Sequence, residues 1–119
     1  MINNTKLIKT LVFLLCLSPF FVHAGGSSGN REVHAVKIEG NEFVAIYPKN
    51  SSWEDPDNCS NGTASVLMIP TYQPEYKSKY SMAMMAMANN SSLSAWVIGC
   101  AQTPWGFKAP IVHTLTVFN

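Results

Sequence analysis

Short stretches of the chain alternate between apolar and polar residues, which is the pattern of half-buried β-strands. Two of them, Val33–Ile38 and Phe43–Tyr47, flank a four-residue turn that contains Gly and Asn, two residues that tolerate positive φ. A third run, Val66–Ile69, is apolar throughout and ends at Pro70. The pattern therefore predicts a β-hairpin, a loop and then a buried strand.

Beyond Pro74 the apolar period lengthens to that of an amphipathic helix. Proline suits the first helical position, and Asn89-Asn90-Ser91 favours the stop. The face expected to lie on the sheet consists of Tyr76, Tyr80, Ala83, Met84 and Met87. Met82 and Met85 fall outside that stripe, so they indicate either a wide core or an oligomer interface.

Two more strands follow the helix, at Leu93–Cys100 and Ile111–Phe118. The alternation in the first, apolar on both sides, predicts that both of its faces are covered. The whole order is strand, strand, loop, strand, helix, strand, strand. It predicts an α+β fold: a small OB-like curved antiparallel sheet or barrel of about five strands with one helix and one disulfide.

The loop between the last two strands carries the candidate ligand-binding residues. Trp105 and Phe107 stand among Pro and Gly residues, and Gln102 and Lys108 lie beside them. Such a loop offers a platform on which a sugar ring or a partner's side chain can stack. The alternative is a loop that folds over the end of the core.

Residues 1–24 have the features of a secretory signal peptide. Lys6 and Lys9 precede an apolar stretch at Leu11–Phe21 that is too short to span a bilayer, and Val22-His23-Ala24 forms a cleavage site of the usual type. We therefore expect a secreted or periplasmic protein, of bacterial type, without stable membrane insertion. Residues 25–31 read as a flexible Gly/Ser leader, and 32–119 as one domain.

Signal cleavage leaves two cysteines, Cys59 and Cys100, because Cys16 lies in the apolar part of the signal. In an oxidising compartment such a pair predicts one disulfide. Trp53 precedes Cys59 closely, and we expect it to pack against the disulfide rather than to stand exposed for ligand stacking.

Metal binding is the alternative use of the polar residues. His34 and His113 have no ligand-like spacing to the cysteines or to each other, which argues against zinc. In the loop at 48–65, Asp55, Asp57 and Asn61 are possible calcium ligands, but Asx turns account for them equally well, and the composition predicts no regular element. We expect His34 to lie at a strand edge under a loop.

The formal net charge of the chain is +1, and signal cleavage removes two of its lysines. No basic stripe supports nucleic-acid binding. A nearly neutral, apolar chain favours association, which indicates a homo-oligomer or a partner's surface.

Catalysis has little support in the sequence. No nucleophile with an adjacent base, phosphate-binding loop or carboxylate pair can be assembled, so we expect neither an enzyme nor a cofactor.

The segment from Met87 to Cys100, with the Trp-bearing loop and terminal strand after it, resembles the C-terminal half of the receptor-binding B subunits of cholera-like and Shiga-like bacterial toxins. Those subunits are secreted, OB-folded and single-disulfide, although their partner cysteine lies near the mature N-terminus rather than in a middle loop. The resemblance implies glycan recognition through Trp105, Gln102 and Lys108, and a pentamer whose subunits meet at the Met face.

The expected function is therefore that of a binding module for cell-surface glycans. The alternative is an inhibitor or assembly factor that binds another protein through the same loop or through the Met surface.

Overall fold

The structure is a computed structural model, and it describes residues 24–40 and 42–119. The predicted signal peptide, apart from Ala24, lies outside the described residues. The elements are β1 (Gly26–Ser27), β2 (Arg31–Glu39), β3 (Phe43–Pro48), β4 (Trp53–Glu54), β5 (Thr63–Ala64), β6 (Leu67–Pro70), α1 (Tyr76–Ala88), β7 (Ser92–Gln102) and β8 (Lys108–Phe118).

Five of the strands close into a ring with the order β7, β2, β3, β6, β8. Four of its five contacts are antiparallel, and the hairpin of β2 and β3 is the predicted one. The fifth, between β6 and β8, is parallel and consists of the single pair Met68 and Ile111. The fold is thus the predicted small OB-like α+β fold, but its sheet is mixed rather than wholly antiparallel. Four antiparallel pairings lead from β6 through β3, β2 and β7 to β8, so β6 and β8 run in the same direction.

Strands β3 and β6 are buried on both faces, so the core has two parts. The first cluster fills the ring under α1 and includes Val44, Ile46, Leu67, Ile69, Leu93 and Val112. The second cluster lies on the other face of the same strands and consists of Phe43, Ala45, Val66, Met68 and Ala109. The alternation of β3 supplies both clusters, since successive residues of a strand point to opposite faces.

The helix packs on the first cluster through small residues. It begins at Tyr76 rather than at Pro74, and the turn after it places Asn90 at a φ of 53°, as the sequence predicts. Ala83 and Ala86 are completely buried, whereas Tyr76, Tyr80 and Met87 pack on the cluster with part of their surface. Close approach of the helix to the strands therefore depends on the two alanines.

Strand β7 is covered on one face only, which contradicts the expectation from its sequence. Leu93, Ala95 and Val97 are buried, but Trp96 is 48% exposed and Ile98 36% exposed. The element beside this face is β1, whose Gly26 and Ser27 pair with Val97 and Trp96. A Gly-Ser strand has no side chain large enough to cover a tryptophan.

The predicted alternation of β8 is interrupted at His113. Thr114 pairs with Trp96, and the next pair is Val112 with Val97, so His113 is an extra residue in β8. In β7 the two residues Ile98 and Gly99 lie opposite the single residue Ile111, so β7 has one extra residue there, and Gly99 adopts a φ of +78°. Such bulges increase the local twist. They allow the turn end of the hairpin to reach the second cluster while its open end covers the first.

The segment before β2 is ordered by hydrogen bonds, although its Gly/Ser composition predicts a flexible leader. Ser28 is fully buried, its N–H donates to Ala95 O at 2.8 Å, and its hydroxyl accepts the N–H of Ala95 at 2.9 Å. Ser28 O also accepts the N–H of Glu54. The segment contributes backbone and hydroxyl contacts rather than apolar area, so hydropathy gave no sign of it.

The loop between β3 and β6 contains a small hairpin, β4 with β5, where its composition predicted no regular element. Trp53 at its start is completely buried in the first cluster rather than exposed for stacking, and its Nε1–H donates to Ile46 O at 3.0 Å. The Asp55 carboxylate accepts the backbone N–H groups of Cys59 and Ser60. Asp55 therefore shapes the turn, as the Asx-turn interpretation proposed.

The predicted disulfide joins Cys59 and Cys100, with an S–S distance of 2.03 Å. Disulfides persist in oxidising compartments, so the bond favours a location outside the reducing cytoplasm. Among the described residues, no helix has the length and apolar character needed to cross a bilayer.

Replacing both cysteines, Cys59→Ala with Cys100→Ala, should lower the free energy of unfolding by about 4 kcal/mol, because the bond closes a long loop in the unfolded chain. Urea denaturation measures the loss. Reductant should produce a similar loss in the wild type and none in the double variant. A loss below about 1 kcal/mol would show that other contacts already restrain the unfolded loop.

Candidate functional site

The connection between β7 and β8 is a short turn held by one buried threonine. Thr103 is 3% exposed, its N–H donates to Phe107 O at 2.9 Å, and its hydroxyl donates to the same oxygen at 2.6 Å. The hydroxyl also accepts the N–H of Trp105 at 3.3 Å. Gly106 takes a φ of +92°, which few other residues would adopt without strain. The turn is therefore fixed on both sides of its tryptophan.

Trp105 lies at the centre of a cluster that we call the Trp105 platform, made of Trp105, Phe107, Phe43 and Lys37. The ring of Phe43 meets Trp105 edge to face at 5.8 Å between centroids, and Phe107 stacks beside it at 5.9 Å with the planes 30° apart. Lys37 Nζ lies 5.0 Å from the centroid of the Trp105 ring. Trp105 remains 38% exposed and Phe107 36% exposed. The platform thus presents aromatic surface in a defined orientation.

The platform belongs to the second cluster. Phe43 is a buried member of that cluster, so Trp105 packs against a side chain that the core itself fixes. The platform is therefore neither a free loop nor simply a cover over the core. It is anchored at Phe43 and open to solvent at Trp105 and Phe107.

Of the four predicted ligand-binding residues, the structure places Trp105 and Phe107 together and gives the other two different surroundings. The side-chain amide of Gln102 donates to Thr103 O and to Phe107 O, so it braces the base of the turn. Lys108 is exposed at the start of β8, and its carbonyl accepts a hydrogen bond from the Ser60 hydroxyl. The ammonium group over Trp105 comes from Lys37 instead.

Lys37 and Phe43 were missed in the sequence because they lie far from the turn along the chain. Part of the signal was present. In an antiparallel hairpin, Lys37 pairs with Ala45 and Glu39 with Phe43, which puts Lys37 and Phe43 on the same face of the sheet. Periodicity could not show that the turn between β7 and β8 folds over that face.

A shallow hollow of about 280 Å³ lies next to the platform, lined by Glu39, Gly40, Glu42 and Pro104. Glu39 Oε2 forms an ion pair with Lys37 Nζ at 3.1 Å, and both side chains are exposed to solvent. Carboxylate oxygens are acceptors only, so they suit ligands that carry O–H or N–H donors. The site therefore combines an aromatic surface with acceptors at its edge.

Of the two predicted interface residues, only Met85 lies on the outer side of α1. Met85 is 51% exposed, and Met82 is partly buried at a groove of about 570 Å³ between α1 and β8. Lys79 and His113 also line this groove.

His34 and His113 are both exposed, so His34 is not covered by a loop as its sequence position predicted. Within residues 24–40 and 42–119, no three His, Cys, Asp or Glu side chains converge as a metal site would require.

Comparison with known proteins gives no relative. No protein-family model matches the chain, and no curated protein and no solved structure shows significant similarity to it. The likeness to toxin B subunits therefore has no support from these comparisons, and the geometry of the site carries the argument.

Replacing Thr103 by Val should free the turn, because the hydroxyl makes two of its hydrogen bonds. We expect a loss of about 1 kcal/mol in unfolding free energy and lower heteronuclear NOE values for the Trp105 and Gly106 amides. Thr116→Val, at an exposed position of β8, is the matched control and should change neither quantity. Unchanged NOE values in Thr103→Val would mean that aromatic packing alone holds the turn.

Proposed function

We propose that this chain is a secreted, non-enzymatic binding module that recognises cell-surface glycans through the Trp105 platform. The observation that carries the proposal is the orientation of Trp105: its ring is held by Phe43 and by the Thr103 turn, and it still presents more than a third of its surface to solvent. A rigid aromatic surface loses little conformational entropy on binding.

A sugar suits this surface for two reasons. The apolar C–H face of a pyranose ring stacks on an aromatic side chain, and its hydroxyls donate hydrogen bonds to carboxylates such as those of Glu39 and Glu42 beside the platform. Glu39 is paired with Lys37, and Glu42 adds a further negative charge to the hollow, which disfavours a sulfated or otherwise polyanionic glycan. We therefore expect a neutral hexose or hexosamine as the group that stacks on Trp105.

Secretion is part of the proposal. The signal-peptide pattern of residues 1–24 and the Cys59–Cys100 bond both support an extracytoplasmic protein. The closed ring, the helix and the single disulfide are features that the resemblance to toxin B subunits also implies, so a B-subunit role is the specific form of the proposal that we favour.

Self-association fits the same role. A single shallow sugar site binds weakly, and several copies in one oligomer raise the overall affinity without any new contact. Met85 on the outer side of α1 supplies an exposed, adaptable apolar side chain for such an interface.

Trp105→Ala should reduce glycan binding at least about tenfold, which corresponds to losing one stacking contact. Trp96→Ala removes an exposed tryptophan from the middle of β7, roughly 20 Å along the strand from the turn, and should leave binding unchanged. Both variants and the wild type are compared on a glycan array and then by calorimetry with the best glycan. Equal binding by wild type and Trp105→Ala would refute the platform as the site. Capture of a protein instead of any glycan would favour the inhibitor or assembly role.

Met85→Glu should dissociate the oligomer, because a charge cannot be buried at an apolar contact without a partner. Light scattering of the mature oxidised protein measures the mass, and Lys77→Glu, at an exposed position of the same helix, is the control. A wild-type protein that is already monomeric would remove the methionine face from the proposal and leave the glycan platform to stand alone.

A further inference from the structure

The backbone nitrogen of Gly25 lies on the carboxylate of Asp57. Its N–H donates to Asp57 Oδ1 at 3.1 Å, and both residues are partly buried. Gly25 adopts a φ of +74°, and a Cβ at this position would stand 2.6 Å from both Ile98 Cγ1 and Val97 O. Position 25 therefore requires glycine, both for its positive φ and because a side chain would clash with β7.

The second oxygen of the same carboxylate reaches the bulge of β7. Asp57 Oδ2 accepts the N–H of Gly99 at 2.7 Å, next to the disulfide residue Cys100. One carboxylate thus joins the N-terminal segment to the hairpin that covers both clusters. Asp57 lies in the turn between β4 and β5, two residues before Cys59, so the disulfide limits its movement.

Gly25 is also the residue that signal cleavage would place first in the mature chain. Hydrolysis of the Ala24–Gly25 peptide bond by a signal peptidase adds one water: Ala24 leaves with a carboxylate, and Gly25 keeps an amino group that takes up a proton at neutral pH. An amide with one hydrogen is then replaced by a positively charged group with three.

We propose that Asp57 is the docking site for the α-ammonium group that signal removal creates at Gly25. The hydrogen bond from the Gly25 amide to the Asp57 carboxylate, in which only the acceptor is charged, then becomes an ion pair at the same place, in which donor and acceptor carry opposite charges. No side chain stands between the two groups, because residue 25 has none.

The consequence is a mature protein that is more stable than any form that keeps residues before Gly25. An intact signal leaves the nitrogen of Gly25 uncharged, so Asp57 holds the segment beside β1 by a hydrogen bond without an ion pair. Cleavage strengthens the hold on β1 and, through Gly99, on the β7 bulge. The contacts of Asp57 with Gly25 and Gly99 would therefore make the processed chain more stable than the precursor.

The inference rests on the secretion that we propose above and is independent of glycan binding. Mass spectrometry of the secreted protein comes first. A mature chain that starts at Gly25 is expected, and a different start overturns the inference while leaving the glycan proposal intact.

The decisive comparison uses four oxidised proteins: the chain starting at Gly25 and the chain that keeps residues 22–24, each with Asp57 and with Asp57→Asn. Urea denaturation gives their unfolding equilibrium constants. We expect the extension to raise that constant about threefold to fivefold when Asp57 is present, the range of a partly exposed ion pair, and to have no such effect in the Asp57→Asn background. Glu54→Gln, which removes a neighbouring exposed carboxylate, should leave the effect of the extension unchanged.

An extension effect of the same size with Asp57 and with Asn at position 57 would show that the α-ammonium does not dock there. If Asp57→Asn does not fold, the two wild-type forms still decide, because equal stability of the extended and the processed chain contradicts the inference. A direct readout is the ¹⁵N shift of Gly25 in the processed chain, which should respond to Asp57→Asn and not to Glu54→Gln.

Discussion

The hairpin of β7 and β8 must cover two buried clusters on opposite faces of β3 and β6, and most features of this fold follow from that requirement. The hairpin carries Leu93, near its open end, and Val112, near its middle, into the first cluster, and it carries Ala109, near its turn, into the second. The two register shifts of the hairpin lie between Leu93 and Ala109. The bulges at His113 and around Gly99 supply the change of direction, and the disulfide at Cys100 fixes the second bulge to the middle loop.

The proposed site depends on this same arrangement. The second cluster ends at Phe43, and the turn of the hairpin places Trp105 against it. Because the turn is anchored to a core side chain and internally bonded by Thr103, its aromatic rings are fixed before any ligand arrives. Preorganised aromatic surface is more useful for recognition than the same residues on a mobile loop. The position of the site is therefore a consequence of how a small chain builds its second cluster.

Strong periodicity made the elements predictable from the sequence. The alternation around Val44 and Ile46, the proline after Ile69 and the repeat through Tyr76, Tyr80 and Ala83 each predicted an element that the structure confirms. Because Cys16 falls in the predicted signal peptide, only Cys59 and Cys100 remained as candidates for the disulfide that the structure contains. Periodicity depends on neighbouring residues, and the cysteine pairing depends on counting cysteines, so both can be read without the tertiary structure.

What remained unpredictable depends on long-range contacts. Ser28 is buried and forms hydrogen bonds with Ala95, a residue far along the chain. The Gly/Ser composition of its segment does not predict this burial. Trp96 is exposed because its neighbour strand has no side chains to cover it. For the site, Trp105 and Phe107 were visible as aromatic residues in a turn, while Lys37 and Phe43 join them only because the hairpin folds back over β2 and β3.

Closure of the ring by the single pair Met68 and Ile111 has a consequence for motion. The other pairings in the ring run over two or more residue pairs, so this seam has the least backbone hydrogen bonding to lose. It also joins strands that are separated by the helix and by β7, which makes it costly in chain entropy and therefore late to form during folding. Amide hydrogens along the seam should exchange with solvent through local opening, while those between β7 and β8 should require unfolding of the whole domain.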